Sequence, residues 1–153
     1  VIIRHATHVD AALLAEHRAA VWHEAGGWSR ADLALQTPIW ATFFGTCLKD
    51  STYVAFIAEE HGRVIGSGGV LVYLAIPRPG CVSERAGRVQ SLYVIPEARR
   101  RGIARHIVQH VIAYAREARL LSLVLHPSDA ARNLYLALGF MPADEMQLRF
   151  TSG

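Results

Sequence analysis

Apolar positions along this chain fall into short runs divided by clusters of glycine, proline and charge, and the spacing within each run predicts an element. Val1-Ile2-Ile3-Arg4 reads as a short strand. Asp10 is placed to cap a helix that runs to about Ala25, with Leu13, Leu14, Ala20 and Val21 among its apolar positions, and Gly26-Gly27 ends it. Trp28 to Pro38 reads as a connector with a second possible helix start at Ser29, followed by a helix-like piece to about Leu48. Tyr53–Glu60 and Val64–Ala75 are strand-like and meet at His61-Gly62-Arg63, which predicts a hairpin. Pro77 to Gly87 is a loop, and Arg88–Ile95 is the next strand. Its apolar positions 89, 92 and 94 break strict alternation, as a β-bulge or burial on both faces would. Residues 101–118 carry an apolar stripe at helical spacing: Ile103/Ala104, Ile107/Val108, Val111/Ile112 and Ala115. Leu120–Leu125 predicts a buried strand. Pro127-Ser128-Asp129 opens a helix to Leu138 with Gly139 as its cap, and Met146–Phe150 alternates as a last strand.

This order predicts an α/β chain whose central sheet is mixed and mostly antiparallel, of α+β type, with helices on both faces. A length of 153 residues suits one domain spanning 1–153. The chain is 52% hydrophobic and 19% charged, enough for a sizeable core and against wholesale disorder. No apolar run has the length of a membrane span and no signal-peptide pattern is visible, so the expectation is a cytoplasmic protein that does not bind membranes. Cys47 and Cys81 are too few for a disulfide framework and read as reduced thiols. The net charge of +3 is mild, but Arg99, Arg100, Arg101, Arg105, Arg116 and Arg119 concentrate the basic residues. Such a cluster suits a polyanionic ligand, a solvated helix start, or nucleic acid. The aromatic residues that a single-stranded nucleic-acid surface would interleave with it are missing, so no nucleic-acid partner is expected.

The most specific pattern runs from Val89-Gln90-Ser91-Leu92-Tyr93-Val94-Ile95-Pro96 into Glu97-Ala98-Arg99-Arg100-Arg101-Gly102-Ile103-Ala104. A strand that enters a basic loop at a helix N-terminus is suited to bind a phosphate. The first-turn amides lack intrahelical partners, and the helix dipole adds partial positive charge. Gly102 keeps a Cβ away from the ligand, and the arginines supply forked donors. Neither G-x-x-x-x-G-K-[ST] nor G-x-G-x-x-G occurs, which argues against the nucleoside-triphosphate and dinucleotide loops.

Arg99-x-x-Gly102-x-Ala104, followed downstream by Ala131-x-x-Leu134-Tyr135-x-x-x-Gly139-Phe140, resembles the coenzyme A-binding blocks of the GCN5-related N-acetyltransferase (GNAT) family. The close resemblance covers about Arg88 to Phe150, and the N-terminal half matches only in layout. It implies a GNAT fold in which strands 4 and 5 splay apart around the pantetheine arm of acetyl-CoA. It also implies an acetyl-CoA-dependent transfer to a primary amine, on a small molecule or a peptide, in a ternary complex. A non-catalytic coenzyme A sensor on the same fold is the alternative, and either could work as a homodimer.

Carried over residue by residue, the resemblance gives the diphosphate to the backbone of Arg99, Arg100, Arg101, Gly102, Ile103 and Ala104, with Arg100 and Arg105 flanking it. Leu92, Tyr93 and Val94 would bond pantetheine through their backbones, with the Val94 amide facing the acetyl oxygen. Tyr135 would protonate the departing thiolate. Where many members carry a cofactor-contacting asparagine this chain has Ser128, and Asn133 on the same helix is a second candidate contact. The strand-four glutamate that serves as base in some members is also absent, the position being Arg88 with Gln90 after it. His126 and Glu24 are substitutes for the base, beside a solvent-linked path that needs no dedicated group. His106 and His110 lie one helical turn apart without an evident third ligand, so no metal is expected. Trp22, Trp28 and Trp40 could wall an acceptor pocket or simply pack the core.

Overall fold

The computed structural model describes residues 1–150. A single five-stranded sheet runs in the order β1 (Ile2–His5), β2 (Tyr53–Glu60), β3 (Arg63–Leu74), β4 (Arg85–Val94), β5 (Leu123–Val124). The first four strands are antiparallel and β5 lies parallel to β4. Alternation along β2 divides the core. Tyr53, Ala55 and Ile57 face α1 (Ala11–Gly26) and α2 (Arg30–Asp50), where they meet Leu14, Ala15 and Phe44. Val54, Phe56 and Ala58 face the opposite side, where α3 (Ile103–Glu117) lays down Ile103, Ile107 and Val111. Helices therefore cover both faces of a mixed sheet, as the element order predicts.

The β2–β3 hairpin turns at His61 and Gly62, both with positive φ, which matches the twist of the strands it joins. On β4 the broken alternation is a bulge. Gln90 opposes Gly69 and Tyr93 opposes Ser67, so Ser91 and Leu92 together face one residue of β3. Ser91 has φ 57°, a conformation that costs a non-glycine residue about 1–3 kcal/mol. The strand also starts three residues earlier than its apolar run suggests, because Arg85, Ala86 and Gly87 continue the ladder with β3.

Several expectations are corrected. Trp28–Pro38 is largely helix: the Ser29 hydroxyl accepts the Asp32 amide at 3.1 Å and opens α2, which continues through Pro38. The carbonyl that Pro38 leaves unpaired belongs to exposed Ala34, so water can replace the lost bond. Asp10 stands at the start of α1 but does not cap it. Its carboxylate takes two bonds from Arg4 at 2.9 Å and the Thr7 amide at 2.8 Å. The run Leu120–Leu125 is half-buried rather than buried, and only Leu123–Val124 is strand, opposite Gly87 and Arg88. The helix expected from Pro127 is shortened to α4 (Arg132–Ala137), preceded by a turn that Ser128 closes through its hydroxyl and carbonyl. Met146–Phe150 forms no strand. These residues are exposed and hydrogen-bond to no neighbouring strand, and alternation without a ladder does not make a β-element. No helix among the described residues is long and apolar enough to cross a membrane.

Candidate active site

β4 and β5 pair only at Gly87–Leu123 and Arg88–Val124, and beyond Arg88 the two strands part. The opening is a cleft of about 970 Å³, walled by α1, the bulged half of β4, the segment after β5, and α4. Sequence-predicted residues from four separate stretches meet here: Glu24; Leu92, Tyr93 and Val94; Arg99; and His126, Ser128 and Tyr135.

The ladder decides which backbone groups face the opening. The Ile95 amide bonds the Ile65 carbonyl at 3.0 Å, so by two-residue alternation Tyr93 also points its amide at β3. Leu92 and Val94 then turn their amides away from β3, toward the gap. The Val94 carbonyl accepts the Arg99 Nε at 2.9 Å, which leaves its amide as the unengaged half of the peptide pair.

Immediately beyond Arg99 the chain supplies a row of donors. Among the described residues, no amide from Arg100 to Arg105 has a hydrogen-bond acceptor, and the first to find one is His106, on the Gly102 carbonyl at 3.1 Å. Arg100 (φ 58°) and Gly102 (φ 78°) both adopt left-handed conformations, which folds the loop into a concave set of N–H groups at the α3 N-terminus. A Cβ on Gly102 would meet nothing within 4 Å, so it is the backbone angle that requires glycine here, not the space. This arrangement suits a diphosphate.

A family model described as the Acetyltransferase (GNAT) family matches residues 14–140. The chain belongs to this family. A GCN5-related N-acetyltransferase from Ralstonia eutropha JMP134 superposes with a TM-score of 0.87 at 27% identity, over 97% of both chains. A predicted acetyltransferase from Clostridium acetobutylicum, whose structure was determined with acetyl-CoA, gives 0.86 at 24% identity, over 97% of this chain and 95% of that one. Glucosamine-6-phosphate N-acetyltransferase from Arabidopsis thaliana shares the fold at 15% identity, with a TM-score of 0.70 over 99% and 98% of the chains. No relative is found among curated proteins.

In this GNAT chain the loop arginines are not equivalent. Arg101 pairs with Glu60 at 2.5 Å, and Arg99 turns into the cleft to meet Glu24 at 2.6 Å. Arg100 and Arg105 are exposed and make no ion pair among the described residues, so they remain available to flank an anion. Glu24 also accepts the Tyr93 hydroxyl at 3.3 Å, and Arg99 lies 5.7 Å from the Tyr93 ring centre. Tyr135 is buried against Phe140, its ring centre 5.5 Å away, and has no hydroxyl partner among the described residues. Burial pushes its phenol up to about 12, so it is protonated at neutral pH. His126 is mostly exposed, with Nε2 3.6 Å from Glu145, whose other oxygen accepts Arg88 at 2.7 Å. Ser128 lines the cleft, whereas Asn133 is exposed on α4 outside it. Of the tryptophans only Trp22 lines the cleft. His110 turns its Nδ1 to the His106 carbonyl at 2.8 Å, and no cluster of metal-ligating side chains occurs among the described residues.

Sequence reading missed Arg18, Gln90 and Ser91. Arg18 Nη1 donates to the Ser91 hydroxyl at 2.8 Å and to Gln90 Oε1 at 3.4 Å. The available signal was a charge within the apolar stripe of α1, four residues after Leu14 and four before Trp22.

Proposed function

We propose that this chain is an acetyl-CoA-dependent N-acetyltransferase that passes the acetyl group directly to a primary amine held in the same cleft. One observation carries the reading. The gap between β4 and β5 leads to Arg99, and the unpaired amides from Arg100 to Arg105 begin at the next residue. The gap fits a narrow uncharged arm, and the amide row fits the diphosphate at its end.

Acetyl-CoA supplies an activated thioester. Residues of this chain do the remaining work. The Val94 amide faces the gap and donates to the acetyl oxygen as negative charge develops there. The amine nitrogen bonds the acetyl carbon as the carbon–sulfur bond breaks; the phenol of Tyr135 donates its proton to the departing sulfur and is restored by the second proton that the nitrogen sheds as the amide forms. The amine must first lose a proton, since an ordinary alkylammonium has a pKa near ~10.4. Glu24, ion-paired to Arg99, is suited to orient the ammonium. His126, open to solvent at the far wall, can pass its proton to water. Holding both reactants in one cleft supplies much of the rate.

The test is calorimetry with acetyl-CoA, followed by an amine panel assayed for release of free thiol. Binding with thiol release supports the transferase. Binding without release from any amine leaves the non-catalytic sensor, and no heat at millimolar acetyl-CoA rejects both.

A further inference from the structure

Four arginines line the cleft, and their partners differ; Arg149 is exposed to water and donates to Gln147 at 3.0 Å. Arg88 has Glu145 at 2.7 Å and Arg99 has Glu24 at 2.6 Å. Arg18, half-buried on α1, has no carboxylate partner among the described residues. Its Nη1 makes both of its bonds, to the neutral Ser91 and Gln90 side chains, and its Nε and Nη2 have no acceptor. The guanidinium lies 5.1 Å from the Trp40 ring centre and 5.7 Å from that of Trp22, so aromatic surface replaces much of its water. A cation withdrawn from water without a counter-ion is costly unless an anion joins it.

Glu24 is the only carboxylate lining the cleft among the described residues, and Arg99 and Tyr93 already engage it. It therefore does little to offset Arg18. The position is informative as well. Arg18 grips Ser91, in the bulge three residues before Val94, whereas the diphosphate cradle begins beyond Arg99. With Ser91 and Leu92 opposite one residue of β3, Ser91 and Val94 are two ladder steps apart, roughly 7 Å along the strand at about 3.3 Å per residue. An anion on Arg18 lies on the opposite side of Val94 from the cradle, which places it with the reacting amine rather than with the diphosphate.

We infer that Arg18 is the anion site of the acceptor pocket: the amine acetylated by this chain carries a carboxylate or phosphate, which Arg18 Nε and Nη2 bind as a fork. This rests on the transferase reading and narrows it. Polycationic acceptors are disfavoured, because Arg18, Arg88, Arg99 and Arg149 all line the cleft against a single glutamate.

The experiment uses the full chain, acetyl-CoA and matched acceptors in a thiol-release assay: L-amino acids against their amides, 2-aminoethyl phosphate against ethanolamine, and spermidine as the polycation. The anionic member of at least one pair is expected to lead in kcat/KM by about tenfold or more, and the productive pair separates carboxylate from phosphate. Arg18→Met should bring that ratio to about one through KM, while Arg18→Lys keeps part of it. Equal loss for both members of a pair would mean that Arg18 only supports the bulge, and preference for neutral or polycationic amines would also overturn the inference. A second readout needs no turnover. Tryptophan emission, with Trp22 and Trp40 beside Arg18, should respond to the anionic compounds in native protein and not in Arg18→Met. If neither emission nor turnover responds to any anion while acetyl-CoA binds, the inference fails and the cofactor reading stands. If acetyl-CoA gives no heat, the transferase reading fails by itself, and the emission titration still reports on Arg18.

Discussion

Tyr135 and His17 show how burial sets a side chain's chemistry. The Tyr135 phenol, pushed up to about 12 by its apolar surroundings, keeps its proton throughout the working range. A pH–rate profile should therefore show no falling limb near pH 10 from this residue. Tyr135→Phe should lower kcat by about a hundredfold while acetyl-CoA affinity, read by calorimetry, is retained. His17 is buried in α1, with Nδ1 2.7 Å from the Ser67 hydroxyl and its ring centre 4.9 Å from that of Tyr93. Desolvation holds it near 4, against an ordinary 6.5, so it is neutral in the fold. Its folded pKa is depressed, so the stability it gives is present above pH 6.5 and is lost as pH falls toward 4. Urea midpoints at pH 7.5 and pH 5 should differ by the equivalent of about 2 kcal/mol from this group, and His17→Asn should flatten that difference.

Among the elements, the α3 N-terminus and the β4–β5 junction constrain their glycines in different ways. Gly102→Ala puts a Cβ into open space but leaves a left-handed backbone, at a cost of about 1–2 kcal/mol. The expected result is a modest loss of melting temperature and a larger loss of acetyl-CoA affinity, since the loop can relax only by moving its amides. At Gly87 the constraint is space: a Cβ would lie 2.6 Å from Val70 Cγ2 and 2.9 Å from Leu123 Cδ2. Gly87→Ala should cost about 1–3 kcal/mol, seen as a lower denaturant midpoint, because it wedges β5 away from β4 at their point of attachment. The α3 stripe and the β2–β3 hairpin were legible in sequence because each follows from local periodicity or turn chemistry. The extension of α2 through Pro38 was not, because proline in a helix is tolerated only where the freed carbonyl reaches water, and that depends on which side faces out. The bulge was legible as a broken alternation, but Ser91 and its bond to Arg18 were not.

For the molecule as a whole, charge reaches furthest. Arg100 and Arg105 are exposed beside the amide cradle, so acetyl-CoA affinity should fall by roughly an order of magnitude between low and high salt. Acceptors without an anionic group should show little such dependence in KM, and titrations at several ionic strengths separate the two. The motif spanning Arg99 to Ala104, with its partner block ending at Phe140, pointed to the family before any coordinates, because a strand–loop–helix unit suited to phosphate is built from contiguous residues. The last strand expected at Met146–Phe150 failed for the opposite reason. Alternation records which faces could be apolar, while a strand exists only when another backbone lies beside it. The same limit applies to the acceptor pocket. What the sequence by itself determined was the α3 stripe, the β2–β3 hairpin and the strand–loop–helix unit from Val89 to Ala104, since each arises from neighbours in the chain. Only the tertiary structure decided where β4 and β5 part and which arginines acquire carboxylate partners. Those outcomes depend on residues as distant as Arg18 and Ser91, or Glu24 and Arg99, and the energy of a buried charge is set by what folding brings within a few ångströms of it.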